Sequence, residues 1–395
     1  MINIKHLNIL PHAKRNYPHV FDPLEIRGSV INNRIVFPPW GLRYANNEGY
    51  LTDKLIKFYI DMAKGGCGLI YTGAAAVSLD AVARGYETYM RLDNDSYIPE
   101  LKELFDQIKR LESVPAIQVA HGGAQVPSPG PGFDAILSPS GIPIAPILAK
   151  SSEYKLKIMT IDEIKQCIQN FIKAGVRGIE AGATVIDVHA AHGYMLMQFL
   201  SPRFNKRKDR YGGSIEKRNR ILVDIINGIR QKSKDVIISV RLSIKEFVKG
   251  GLEPEDYKII IPMLEEAGVD ILNISVGTVA ESMDKQVPIK ALGETPYVDM
   301  IANIKSYSKT KIITVGSIFS LRQAENILKD GKADLVAMGR AHMADPKIVI
   351  KSAKGDEDRV RKCLHCNICV QSLFVKGSPI YCAVNPEYKK GYHIG

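Results

Sequence analysis

The sequence has no long apolar run, a single tryptophan and no stretch of low complexity, and each absence narrows what the chain can do. No run approaches the length of a membrane span, and residues 1–10 lack the basic-then-apolar order of a signal peptide, so no membrane is expected and the expected location is cytoplasmic. The formal net charge of +11 would suit nucleic acid. Lys and Arg are scattered, however, without a stripe of basic residues and interleaved aromatics, so no nucleic-acid partner is expected. A basic excess of this kind also suits anionic small molecules such as phosphates, nucleotides or thioesters of coenzyme A. Cysteine is scarce and unevenly placed. Cys67 and Cys167 stand alone in apolar or helical surroundings, as small buried residues do, while Cys363, Cys366, Cys369 and Cys382 crowd the end, which in a cytosolic protein argues for metal instead of disulfides.

What is present is an alternation of short apolar runs with helix-like segments in a chain of 395 residues, long enough for one large core. Strands are expected at 34–37, 68–71, 116–119, 185–188, 236–242, 271–274, 311–315 and 335–338. Helices are expected at 52–64, 97–111, 214–231, 254–267, 297–307 and 321–329. Another starts at the capping box Thr160-x-x-Glu163 and runs through about 173. Eight such units predict an α/β fold, a (β/α)8 TIM barrel, with an open doubly wound sheet as the alternative. The expected division is a barrel over 1–355 and a cysteine-rich extension over 356–395. The Gly/Pro-rich segment 121–158 interrupts the rhythm, and loops of that length usually serve as lids or shape pockets.

Candidate chemistry gathers where the fourth strand ends. His189, His192 and Tyr194 place two imidazoles and a phenol around flexible Gly193, at the strand end where parallel α/β proteins do their chemistry. Gly316, Gly339 and Arg340 fall in the loops after strands seven and eight, where glycines let backbone N–H groups approach a phosphate and a guanidinium clamps it. The tail spacing Cys363-x2-Cys366-x2-Cys369-x12-Cys382, with a turn at 377–379, surrounds either a 4Fe-4S cluster or zinc. Spacing alone leaves both metals open.

The stretch HAAHGYMLMQFLSPRFNKRKDRYGGSIEKRNR resembles the signature of the old yellow enzyme family of flavin-dependent ene-reductases and its iron–sulfur relatives, dienoyl-CoA reductase and trimethylamine dehydrogenase. The resemblance extends from about Phe21 to about Asn385. It implies that the phosphate is that of FMN, with Pro38, Pro39 and Ala74 under the flavin ring and Gln118 and Arg241 on its pyrimidine edge. It implies that His189 and His192 grip a substrate carbonyl while Tyr194 donates a proton, and it favours the cluster over zinc. Where many ene-reductases carry Thr or Cys after the first strand to tune the flavin, this chain reads FPPWGLRYA, and Trp40 falls near the position where the amine dehydrogenase attaches its flavin through Cys, which argues against a covalent flavin. Lone Trp40 is expected to pack in the barrel.

The expected function is therefore reduction of a C=C bond conjugated to a carbonyl or thioester, with NAD(P)H or a redox partner protein as electron source. The family's cluster-bearing branches continue into a nucleotide-binding half, and no GxGxxG fold follows Cys382 here, so that electron route is expected to be missing. Amine oxidation or demethylation on the same scaffold, and a non-catalytic FMN and iron–sulfur electron-transfer subunit, are the alternatives. His189 speaks against the amine reading, because the amine dehydrogenase has Tyr at that position. A homo-oligomer is compatible with everything above.

Overall fold

A computed structural model describes residues 4–83, 88–144, 150–374 and 378–389. An antiparallel hairpin of β1 (Leu24–Ile26) and β2 (Ser29–Ile31) precedes the first barrel strand, β3 (Ile35–Phe37). The further barrel strands are β4 (Leu69–Ala76), β5 (Val114–Ala120), β8 (Val185–Ala190), β9 (Ile237–Ser243), β10 (Ile271–Ser275), β11 (Lys311–Val315) and β12 (Leu335–Ala337). Between β5 and β8 the long insertion carries the short pair β6 (Ile136–Ser138) and β7 (Leu156–Ile158). The eight barrel strands close in the order β3-β4-β5-β8-β9-β10-β11-β12, so the predicted barrel is the fold and the open sheet is excluded.

Strand alternation sorts the side chains into two sets. Ile186 and Val188 of β8, and Ile238, Val240 and Leu242 of β9, join the large core shared with the surrounding helices. Their neighbours Val185 and Ile237 join a second cluster with Leu69, Val114, Ile271, Ile313 and Leu335, which the hairpin residues Leu24, Ile26 and Ile31 complete. Burying each of these aliphatic side chains contributes roughly 1.5–3 kcal/mol. One barrel end is thus an apolar plug. Further along the same alternation come Asp187 and His189 in β8, Ser239 and Arg241 in β9, and Asn273 and Ser275 in β10, all buried and all polar. This change from apolar to polar along each strand places the chemistry at the carboxyl end.

Helix bounds differ from the pattern-based expectation where packing overrides it. The capping box forms, with Glu163 N donating to Thr160 Oγ1 at 3.2 Å and Thr160 N to Glu163 Oε2 at 2.8 Å. The helix runs Ile161–Glu180, beyond the expected end near 173, through Gly175 and Gly178. A Cβ at Gly178 would lie 2.8 Å from Ile186 Cδ1, and one at Gly175 would lie 3.0 Å from Ile229 Cδ1. Those glycines allow close packing, Gly178 against the barrel strand and Gly175 against helix Ile215–Lys232, instead of ending the helix. The helix expected at 297–307 divides into Val298–Ala302 and the 3-10 turn Asn303–Ser306, and 254–256 is likewise a 3-10 turn before Tyr257–Glu266.

The cysteine-rich extension lies along the first barrel units. Ile380 N donates to Leu42 O at 3.1 Å, Tyr388 OH donates to Asp61 Oδ2 at 2.8 Å, and Val370, Ile380 and Tyr388 belong to the main core. Gly377 of the expected turn lies outside the described residues, as do 145–149 of the long insertion.

Candidate functional site

The carboxyl ends of the strands surround a cavity of about 460 Å³. Every barrel residue singled out from the sequence lines it: Pro38, Pro39, Ala74, Gln118, His189, His192, Tyr194, Arg241, Gly316, Gly339 and Arg340. The backbone explains the gathering. Register pairs His189 with Arg241 and Arg241 with Asn273 across adjacent parallel strands, so three polar side chains share one row. Just beyond β8, His192 adopts φ 62° and Gly193 φ 84°, a left-handed turn that doubles the chain back before helix Met195–Leu200. The His189 ring then lies 5.3 Å from the His192 ring and 4.9 Å from the Tyr194 ring.

Burial sets the protonation states. It pushes His189 down to about 3, with Arg241 adding to the effect, and it drives His192 well below the ordinary imidazole value for the same two reasons, His189 contributing further. Both rings are neutral near pH 7 and have N–H groups to donate. Burial also pushes the Tyr194 phenol up to about 12, so it keeps its proton. Ser275 Oγ holds His192 Nε2 at 2.8 Å, leaving at most the other ring nitrogen for a ligand. His189 Nδ1, Arg241 Nε, Gln125 Oε1 and Gln286 Oε1 are buried with no partner among the described residues. Unpaired buried polar atoms are costly, and the residues that carry these atoms all line the cavity, so they fit a polar ligand.

The second end of the cavity suits an anion. Gly316 has φ 121°, open to glycine, and a Cβ at Gly339 would lie 3.1 Å from Pro38 Cγ. Arg340 is buried; it donates through Nη2 to Ser317 Oγ at 3.0 Å and through Nη1 to Pro288 O at 2.9 Å and Asn367 Oδ1 at 2.6 Å. With the apolar Pro38, Pro39 and Ala74 and the polar Gln118 and Arg241, the lining fits a flat heteroaromatic ring bearing a phosphate, as in FMN. Trp40 packs partly against the core, as expected, and it also lines the cavity. Its carbonyl oxygen also explains Gly73, where a Cβ would come within 1.9 Å of it.

Ser275, Asn273, Ser317, Gln125, Gln286 and Leu373 were not anticipated. Asn273 and Ser275 had a readable signal, since polar residues alternate with apolar ones in ILNIS. Leu373, from the tail helix Ile368–Phe374, had none, because its place on the cavity wall depends on how the tail folds back.

The four tail cysteines border a second, small cavity of about 20 Å³ together with Arg340 and Met343. Cys369 is buried, Cys366 exposed, and Cys363 Sγ accepts the His365 N–H at 3.4 Å. Burial raises the Cys369 thiol to about 12, against the pull of Arg340. The expected metal centre is not assembled as such: among the described residues no group of three or more His, Cys, Asp or Glu side chains is placed to hold a metal ion. The sequence brings the sulfurs to one cavity, but spacing does not set the distances between them. No helix among the described residues is long and apolar enough to cross a membrane.

The profile of the NADH:flavin oxidoreductase / NADH oxidase family matches residues 19–359. The chain belongs to that family. It is 36% identical over 375 residues to an NADH oxidase of Thermoanaerobacter brockii, covering 94% of this chain and 56% of that one. It is 33% identical over 336 residues to an NADPH dehydrogenase of Listeria innocua, covering 85% of this chain and 94% of the relative. Among solved structures it is similar to 2-naphthoyl-CoA reductase in complex with 2-naphthoyl-CoA, with a TM-score of 0.86 and 26% identity over 94% of this chain and 57% of that one. The chain thus spans about half the length of several of its relatives and nearly all of others. Old yellow enzyme structures share the barrel, so the flavoprotein fold is that of this oxidoreductase family.

Proposed function

We propose that the protein is an FMN-dependent ene-reductase acting on a C=C bond conjugated to a carbonyl or thioester, with NAD(P)H as the electron source. The observation that carries this reading is the set of two neutral imidazoles and one protonated phenol packed ring to ring on the cavity wall. Bound FMN, once reduced, supplies the hydride. His189 and His192 donate N–H groups to the substrate's carbonyl oxygen and stabilise the negative charge that develops there. Tyr194 gives its proton to the α-carbon as that charge forms; its raised pKa keeps the proton in place until then. Gln118 and Arg241 hold the polar edge of the flavin ring, Pro38, Pro39 and Ala74 form its floor, and Gly316, Gly339 and Arg340 take the phosphate. Similarity to a reductase crystallised with a coenzyme A thioester supports the thioester as one substrate class.

Anaerobic assays with activated alkenes and amines test this directly. The expected result is a yellow protein that turns over alkenes. Turnover of amines alone would replace the reading by amine oxidation or demethylation. Flavin reduction without turnover of either, with a co-purifying redox partner, would make the chain an electron-transfer subunit.

For the tail, the proposed ligand of Cys363, Cys366, Cys369 and Cys382 is a 4Fe-4S cluster, with zinc as the alternative. Support comes from the common cavity the four residues border and from the backbone N–H aimed at Cys363 Sγ, since hydrogen bonds to the sulfurs tune such centres. Iron, sulfide and zinc assays on anaerobically purified protein separate the two. The division into a barrel over 1–355 and a metal-bearing extension over 356–395 belongs to the same proposal.

A further inference from the structure

Below the row that holds His189 and Arg241 lies a second polar row inside the barrel. Register pairs Gln118 with Asp187 and Asp187 with Ser239, so three inward-facing side chains stand side by side on β5, β8 and β9. Gln118 Nε2 donates to Asp187 Oδ2 at 2.7 Å, and Ser239 Oγ donates to Asp187 Oδ1 at 2.5 Å. Tyr71 OH in turn donates to Ser239 Oγ at 3.1 Å, so the serine's single proton is committed to Asp187. Asp187 has no exposed surface. None of the chemistry proposed above uses it, yet a buried carboxylate is expensive unless something depends on it.

We propose that Asp187 is a positioning residue for the cofactor: it fixes the orientation of the Gln118 amide and offsets the charge of Arg241 against the cavity. With both carboxylate oxygens accepting hydrogen bonds, the group has the pattern of an anion. Because Gln118 gives its NH2 to that anion, its carbonyl oxygen remains as the acceptor it offers the cavity. Arg241 donates to Asn273 Oδ1 at 2.6 Å, a neutral partner, so the nearby counter-charge comes from Asp187. Burial pulls Arg241 down to about 10, and Asp187 is the main group opposing that fall. A cavity meant to stabilise a reduced, anionic flavin without trapping it needs the arginine's charge attenuated, and a carboxylate one row below does this without touching the ligand.

The inference rests on FMN being the ligand, and the experiment separates the two. FMN affinity and the two-electron potential of bound FMN are measured for the wild type, Asp187→Asn, Asp187→Ser and Asn273→Asp. In Asp187→Asn the unopposed arginine favours the reduced ligand over the oxidised one by about tenfold, a positive shift of ~30 mV for a two-electron couple. Oxidised FMN binds several-fold more weakly because the Gln118 amide is free to turn. Asp187→Ser, also neutral, shifts the potential the same way and carries the test if the Asn variant does not fold. Asn273→Asp, which adds a carboxylate beside Arg241, shifts it negative. An unmoved or negative potential in both neutral variants, with FMN bound, overturns the role of Asp187 and leaves the proposed function standing. A wild type that refuses FMN overturns the proposed function first.

Discussion

At the barrel mouth, His189, Arg241 and Asn273 stand in one row because parallel ladders on both sides hold their backbones there. In the tail, Cys363 and Cys366 hang on residues 361–367, which have no regular structure, with His365 at φ 56° and Asn367 at φ 52°. Both regions gather groups around a cavity, the first from strands along the whole barrel and the second from within 340–384. Only the first has a scaffold that enforces the geometry. The contrast teaches that a site built on strands is ready before its ligand arrives, whereas a site built on a loop draws much of its order from the ligand itself.

A cluster of contacts around Arg340 joins the two regions. Arg340 donates to Ser317 on the barrel side and to Asn367 on the tail side, and the Phe319 ring lies against both its guanidinium and the His365 ring, the latter stacked at 3.7 Å. The cysteine loop therefore leans on the residue proposed to bind the flavin phosphate.

The largest effect expected within the barrel is chemical and leaves the scaffold alone. Tyr194→Phe should slow substrate reduction by roughly 10²–10⁴-fold while FMN binding and FMN reduction stay within about twofold. Stopped-flow measurement of the two half-reactions checks this, and equal loss in all of them would mean that the barrel site is not preformed. In the tail, which we propose holds a metal, the matching experiment is removal of that metal. Chelation under reducing conditions should raise protease cleavage within 361–389 by about an order of magnitude, while barrel fragments stay intact. Cleavage spreading through the barrel would erase the contrast.

Arg340→Ala should disturb both regions at once. Loss of charged hydrogen bonds worth ~1.5–3 kcal/mol should weaken FMN binding by roughly 10–100-fold, and metal content should fall in parallel. Fluorescence titration with iron analysis reads both. An FMN defect with full metal content would show that the two sites are independent.

The smallest effect is electrostatic. His189, held down to about 3, stays neutral in the folded protein where the unfolded chain takes up a proton. Stability therefore falls as pH drops from about 6.5 toward 3, and His192 acts in the same direction. Asp187, raised to about 6 by burial, acts oppositely between about 3.9 and 6, because the folded state keeps a proton the unfolded chain has released. Urea midpoints measured against pH should show a shallower acid slope for His189→Asn than for the wild type, and an unchanged slope would place His189 outside the buried row.

Much of this was legible beforehand. The bounds 311–315 and 321–329 match strand β11 and helix Leu321–Lys329, because period and capping agree there with packing. Helix Ile161–Glu180 extends past the expected end near 173, because Gly175 and Gly178 let it pack closely on Ile229 and on the strand residue Ile186. The hairpin β1–β2 went unread, since its three-residue strands have no period of their own and gain their apolar partners only from the barrel floor.

The sequence by itself determined eight recurring βα units, through apolar runs of the right spacing, and it placed His189, His192, Tyr194, Gly316, Gly339 and Arg340 just past strand ends, while Pro38, Pro39, Ala74, Gln118 and Arg241 were named through the family resemblance. Tertiary structure alone decided which of those groups face one another. The pairing of Gln118 with Asp187 and the row from His189 to Asn273 cross between segments far apart in the chain. Such contacts follow from register and closure of the sheet, which no local pattern encodes.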